Sequence, residues 1–315
     1  MYFKDQNTEQ LLEFVRRSNT SFVDQEFPAD LSSLSPKSDA VRNLPIAWQR
    51  PTELSAHPSL YTILRPSAIR QGRLGNCWFV AACACLVQHE SAWRKVVALP
   101  RLQTWSKYHG LFVFRFWRFG VWVTVVVDDL LPTLNGELLY CHSSDPNEYW
   151  CALLEKAYAK LLGSYEALEG GELADALIDF TGGYTECLDF GLRPLPTFKT
   201  PGPLPAYGTF DNILVPPQSL NCSFLSPWKD SMLCDSAYKL LYRYHIAGSM
   251  IAAAISPQSL LEQERETRLG LVVGHASLTS LHFHHLWRDA TFFLFAWRTR
   301  GGMRPGAEPF REIQK

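Results

Sequence analysis

The chain has 315 residues, 47% of them hydrophobic, which is enough to bury a large core as one domain or two lobes. Thirty basic and 31 acidic residues give a formal charge of -1, which excludes an overall field that would attract nucleic acid or an anionic membrane. The N-terminus lacks an apolar signal sequence and no apolar run approaches the roughly 20 residues of a membrane span, so we expect a soluble protein.

The eight cysteines show no repeated CxxC pairs, and several lie in apolar runs. This usage is too sparse for a disulfide scaffold or a structural zinc module. We therefore expect reduced thiols and a cytoplasmic location.

The first 70 residues contain Pro and Asp/Ser clusters that interrupt any periodicity, so they predict mostly loop with one helix near "TEQLLEFVRRS". The run from Trp78 to Leu86 is almost wholly apolar and rich in Ala, which predicts a helix buried on all sides. Residues 111–131 are dense in aromatic and β-branched side chains with a break at Phe119-Gly120, the pattern of a β-hairpin.

Apolar residues from Trp150 to Leu161 recur at helical spacing and predict a further helix. Residues 195–228 carry many prolines and no periodicity, which indicates an irregular insertion or linker between two lobes. A helix and then a strand are predicted after it up to residue 255, and residues 270–281 predict another strand, around His275.

The stretch "QGRLGNCWFVAACACL", Gln71 to Leu86, places Cys77 where a nucleophilic thiol is expected. Glycines before it permit a tight turn, and the positive end of the following helix would stabilise a thiolate. The backbone N–H of Cys77 and the side-chain amide of Gln71 could donate to a developing oxyanion. The alternative is an inert buried thiol, which is the interpretation we favour for Cys83 and Cys85 on the same helix.

This stretch closely resembles the active-site segment of the calpains, cysteine proteases whose motif reads Gln-Gly-x-x-Gly-Asp-Cys-Trp. Other stretches resemble the same family in the same order: "EFPAD", "WQRPTEL", "GLFVFRFWRFGVWVTVVVDDLLPTLNGELLY", "NEYWCALLEKAYAKLLGSYEALEGG", "ALIDFTGG" and "GLVVGHA". The chain is therefore identified as an atypical or truncated member of the calpain family.

The resemblance implies an α+β fold, a papain-like two-lobed cysteine protease core. After an N-terminal segment at 1–19, a helical lobe at 20–194 would carry the Cys, and after the 195–228 insertion an incomplete β-rich lobe at 229–315 would carry the His. By resemblance Cys77 is the nucleophile, Gln71 an oxyanion-hole donor and His275 the base. The implied activity is calcium-dependent limited proteolysis of cytoplasmic protein substrates through an acyl-thioester.

Two departures from the family pattern qualify this prediction. Asn76 replaces the usual Asp before the nucleophile, which removes a charge but leaves the backbone donors. The Asn-Pro-Trp box expected after the His, whose Asn orients the imidazole, has no counterpart because residues 276–315 contain no Asn. Asp289 is the only nearby carboxylate that could substitute.

A second function follows from these departures: a catalytically impaired calpain-like protein that acts by binding or regulation. The chain also ends before the regulatory domains that the family usually carries, so a truncated product without a regulatory subunit is expected. In such a truncated lobe, the apolar run at 292–297 is expected to be exposed.

The resemblance also implies one calcium ion per lobe as a regulatory cofactor, with Glu148 as a family ligand in the first lobe. Ala68 stands where a second carboxylate ligand is expected, and the alternative for Glu148 is a solvated carboxylate at a helix start. His282, His284 and His285 lack accompanying ligands at metal-binding spacing, so we predict ordinary strand or loop histidines.

Overall fold

The computed structural model describes residues 1–35, 41, 43–98, 108–188, 249–254, 276–278 and 291–295. These ranges contain both helices and antiparallel sheets, in agreement with the predicted α+β class. The proposed insertion at 195–228 and the helix expected just before residue 250 lie outside the described residues. Among the helices in these ranges, none combines the length and the apolar composition of a membrane span.

Three of the four helices that the sequence predicts fall within the described residues, and all three are present. The helix at 8–18 is predicted as the one exception in a loop-rich region, the helix at 77–86 from an almost wholly apolar run, and the helix at 150–162 from apolar periodicity. The two four-residue helices are too short to show any period. The helices are α1 Thr8–Ser18, α2 Leu31–Leu34, α3 Pro51–Leu54, α4 Cys77–Leu86, α5 Glu90–Val96, α6 Trp150–Leu162 and α7 Leu173–Thr181.

The described strands are β1 Ile46–Gln49, β2 Ile69–Arg70, β3 Leu111–Arg118, β4 Val121–Asp128, β5 Leu131–Leu134, β6 Glu137–Leu138, β7 His142–Ser143, β8 Glu186–Leu188, β9 Met250–Ala254, β10 Ala276–Leu278 and β11 Thr291–Phe295. They form four antiparallel groups: β1 with β5 and β6, β2 with β7, β3 with β4, and the order β10-β9-β11-β8.

The predicted hairpin is formed by β3 and β4, with Leu111 opposite Asp128 and Arg118 opposite Val121. Phe119 and Gly120 make its two-residue turn and both have positive φ, 50° and 82°. Two positive φ values match the right-handed twist of the strands, which is why such turns close hairpins.

The exposure predicted for the apolar run at 292–297 stays a prediction, because its side chains lie outside the part of the chain that the structure describes. The backbone of β11 lies between β9 and β8 and pairs with both. The four-stranded sheet therefore joins β8, which follows the helical region directly, to strands near the C-terminus.

The core lies between the β3–β4 hairpin and the helices α4, α6 and α7. Its centre is aromatic: the Tyr158 ring lies 4.9 Å from Phe79 and 5.2 Å from Phe116, and Phe180 joins the same cluster. Packing of α4 against this cluster fixes the helix that begins at Cys77.

Helix α6 is buried almost all round, including three charged residues that a helix in contact with solvent would expose. Lys156 donates to Asp128 of β4, and Lys160 donates to Asp24 at 2.6 Å. Burial lowers the pKa of Lys160 although the Asp24 charge raises it. These ion pairs fasten α6 to the hairpin and to the N-terminal loop, because removing one partner would leave an uncompensated buried charge.

Candidate functional site

Cys77 is the first residue of α4 and is partly exposed, whereas nearly every later residue of that helix is buried. The first N–H groups of a helix lack intrahelical acceptors and carry the positive end of its dipole. The thiol therefore lies where a helix N-terminus opens toward the surface. This is the placement that the sequence predicts for a nucleophile.

Cys83 and Cys85, on the same helix, are completely buried. Burial raises the pKa of the Cys83 thiol well above its ordinary value and that of Cys85 to about 12. Neither can form a thiolate near neutral pH, so the prediction that they are packing residues is confirmed.

The turn before Cys77 lies directly on the segment 139–141. A side chain at Gly72 would overlap the backbone of Tyr140, and the N–H of Arg73 donates to the carbonyl of Leu139 at 3.0 Å. A Cβ at Gly75, by contrast, would meet no atom within 4 Å. Both glycines are predicted to permit the turn, but only at Gly72 does a close approach of backbone require a residue without a side chain.

Gln71 stands at the start of this turn and is half-buried. Its side-chain Nε2 donates to the carbonyl of Leu74 at 2.7 Å, which uses one of its two amide hydrogens. The second amide hydrogen is not used by this bond and can donate to a ligand. The structure thus gives the Gln71 amide a fixed anchor within the turn that leads to Cys77.

Trp78 follows Cys77 and is buried in the core. Its indole N–H donates to the carbonyl of Leu168 at 2.9 Å, and a side chain at Gly171 would come 2.5 Å from its ring. Any residue with a Cβ at position 171 would therefore clash with the Trp78 ring. This contact holds the segment 168–171 beside the start of α4.

Asn76 and Glu155 form a buried pair that the sequence did not reveal. Asn76 is fully buried, and its Nδ2 donates to Oε1 of Glu155 at 2.7 Å. Oε2 of Glu155 accepts the backbone N–H of Cys141 at 2.9 Å. Burial raises the pKa of Glu155 to about 7, although both donors lower it. The one signal in the sequence is a carboxylate whose neighbours one helical turn away, Cys151 and Ala159, are apolar.

His275, the predicted base, and Asp289, its predicted orienting substitute, lie outside the described residues, as do His282, His284 and His285. Strand β10 begins at Ala276, the residue that follows His275, and both β10 and β9 lie against α4. The structure therefore brings the strand after His275 to the helix that starts at Cys77.

Glu148, the predicted calcium ligand, is buried rather than solvated, and its oxygens already have protein donors. Oε1 accepts the N–H groups of Thr62 and Ile63 at 2.7 and 3.2 Å, and Oε2 accepts the Ser143 hydroxyl at 3.1 Å. The Ala68 carbonyl in turn accepts an N–H, that of Ser144.

Calcium needs six to eight oxygen ligands, several of them charged. Among the described residues no group of three or more His, Cys, Asp or Glu side chains is placed to hold a metal ion. With Ala68 supplying no carboxylate and Glu148 engaged by three donors, this part of the chain does not fit a calcium ion.

Comparison with known proteins identifies similar sequences over most of the chain. A family profile described as "Calpain family cysteine protease" matches residues 22–291. Calpain-5 of Mus musculus is 38% identical over 280 residues, which cover 87% of this chain and 38% of that protein. Calpain-8 of Rattus norvegicus is 38% identical over 289 residues, 89% of this chain and 35% of the relative.

A relative with a shorter match is Calpain-5 of Caenorhabditis elegans, 47% identical over 191 residues, 59% of this chain and 29% of the relative. The chain thus spans less than two fifths of the length of these relatives.

Proposed function

Because the chain belongs to the calpain family of cysteine proteases, we propose that it is an endopeptidase that cuts protein substrates through Cys77 and His275. The single observation that supports this most is the placement of Cys77 as the partly exposed first residue of a buried helix. The approach of β10 to the same helix supports His275 as the base, since β10 starts at the next residue. Two lobes in the papain-like arrangement are part of the proposal.

The proposed reaction begins with transfer of the Cys77 proton to the imidazole of His275. The thiolate sulfur then attacks the substrate carbonyl carbon, and the carbonyl oxygen takes up the negative charge. Backbone N–H groups at the start of α4 and the Gln71 amide donate to that oxygen, each donor contributing about 100-fold to 1,000-fold in rate in comparable sites.

The tetrahedral intermediate collapses when the C–N bond breaks and the imidazolium proton passes to the leaving amine. This leaves an acyl-thioester on Cys77. Water, deprotonated by His275, then attacks the thioester carbon and releases the acid product while the thiol regains its proton. The chemistry requires a reduced thiol, so we also propose a reducing, cytoplasmic location.

Calcium dependence is proposed for the activity only by analogy with the family. The described residues do not fit a calcium ion, so no step is derived through one, and Glu148 is assigned a structural role in holding the Thr62–Ile63 backbone.

A second candidate function is that of an impaired relative that binds substrates or partners without turning them over. The absence of any Asn in residues 276–315 favours it, because the family uses an Asn to orient the imidazole.

Cleavage of fluorescently labelled casein tests the two candidates, with and without calcium. The endopeptidase predicts a signal that Cys77→Ala and His275→Ala abolish and that Gln71→Ala lowers by about 100-fold. A folded wild-type chain that binds casein without cutting it would support the impaired relative. Equal cleavage by wild type and Cys77→Ala would refute Cys77 as the nucleophile.

A further inference from the structure

The turn formed by residues 71–76 and the segment formed by residues 139–141 are held together at several points. Gly72 lies against the backbone of Tyr140, and Arg73 donates to Leu139. Both of these contacts lie in the first half of the turn. Its second half, which leads into α4, is joined to the same segment through Glu155 alone among the contacts described above.

Glu155 joins the two chain segments with one carboxylate. Oε1 accepts the Asn76 side-chain amide at 2.7 Å, and Oε2 accepts the Cys141 N–H at 2.9 Å. Among the described residues no lysine, arginine or histidine forms an ion pair with this buried carboxylate. A carboxylate buried without a cation is costly and rare, which points to a role beyond packing.

No group in the described part of the chain donates a hydrogen bond to the buried Oδ1 of Asn76. Burying an oxygen without a donor costs desolvation free energy, so packing alone does not explain an Asn at this position. The residue is therefore held in place by its one side-chain bond, the bond to Glu155, and by its backbone.

The backbone of Asn76 connects this bridge to the groups proposed to react. Its carbonyl accepts the N–H groups of Phe79 and Val80 at 2.9 and 3.1 Å and so begins α4. Its N–H donates at 2.9 Å to the Leu74 carbonyl, which is also the acceptor for Gln71 Nε2. A displacement of Asn76 would therefore move the start of the helix and the Gln71 amide together.

We propose that Glu155 is a positioning residue: through Asn76 and Cys141 it fixes the start of α4 and the Gln71 amide relative to Cys77. The inference rests on the proposed function only in assigning Cys77 and Gln71 as reacting groups. Glu155 touches neither substrate nor the reacting atoms. It acts through the geometry of the turn, where displacements near 1 Å are known to cost about 100-fold in rate.

Two substitutions separate positioning from general stability. Glu155→Met keeps the length of the side chain and removes both acceptors. Glu155→Gln can keep both segments joined: its Oε1 accepts the Cys141 N–H while its Nε2 donates to Asn76 Oδ1 once that amide turns over. The matched control is Lys156→Met, the next residue of α6, which breaks a buried pair with Asp128 and does not contact the turn.

The first readout is the rate of Cys77 alkylation by iodoacetamide on folded protein at fixed pH, followed by mass spectrometry, with the melting temperature measured on the same samples. Glu155→Met is expected to slow alkylation by about 10-fold or more, and Glu155→Gln to stay close to wild type. Lys156→Met is expected to lower the melting temperature while alkylation of the folded fraction stays close to wild type.

The inference is overturned if folded Glu155→Met is alkylated as fast as wild type, or if Lys156→Met slows alkylation as much as Glu155→Met does. The second readout is casein cleavage, in which Glu155→Met should lower kcat more than it raises KM. If the wild type cuts no casein but the alkylation pattern holds, the proposed function fails and the positioning role stands.

Discussion

Replacing Glu155 by Gln tests whether a carboxyl group is really buried beneath the turn that carries Cys77. The pKa of Glu155 is raised from its ordinary 4.5 to about 7, chiefly by burial. In such a case the stabilising contribution of the protonated form is fully present below pH 4.5 and is lost as pH rises through about 7. At about 1.4 kcal/mol per pKa unit, the wild type should lose about 3 kcal/mol across that window from this group.

Gln carries no charge at any pH, so the variant should lack this loss. The assay is urea unfolding of wild type and Glu155→Gln at intervals from pH 4 to 8, with the difference in the free energy of unfolding plotted against pH. Tyr140 and Cys83, whose pKa values Glu155 raises further above neutral, do not titrate in this window and cancel in the difference. A difference that does not change with pH would refute the buried carboxyl group.

Three further predictions concern other parts of the site. Gly72→Ala should lower the free energy of unfolding by about 1–3 kcal/mol in urea titrations, because the added Cβ would overlap the backbone of Tyr140. Gly75→Ala should not lower it, because the space around Gly75 is open. Equal effects of the two substitutions would contradict the close approach of Gly72 to the backbone. On native protein at neutral pH, mass spectrometry should find iodoacetamide on Cys77 and none on Cys83; modification of Cys83 at a comparable rate would contradict its burial. Any rise in melting temperature caused by calcium should be equal in wild type and Glu148→Gln, and a rise lost only in the variant would make Glu148 a ligand.

The elements nearest the proposed site could be predicted because their sequence signals are local. The almost wholly apolar, Ala-rich run after Cys77 predicts a buried helix, and the break at Phe119-Gly120 between two runs of aromatic and β-branched residues predicts a hairpin. The special place of Cys77 followed from its position before that helix, and the inertness of Cys83 from its position within it.

The buried charges of α6 could not be predicted, because each depends on a residue far away in the chain. Lys156 and Lys160 are buried only because Asp128 and Asp24 arrive from the hairpin and the N-terminal loop. Glu155 is likewise explained by Asn76, 79 positions before it. Asn76 carries one charge fewer than the Asp of the family motif, and the sequence gives no sign that its side chain bonds to Glu155 in the interior.

Activation of the proposed nucleophile Cys77 by His275 can be measured as the rate at which an epoxide inhibitor of papain-like enzymes modifies the native chain. We expect one adduct, on Cys77, formed at a rate that His275→Ala lowers by about 100-fold or more. Modification of Cys77 at the same rate in wild type and His275→Ala would contradict it.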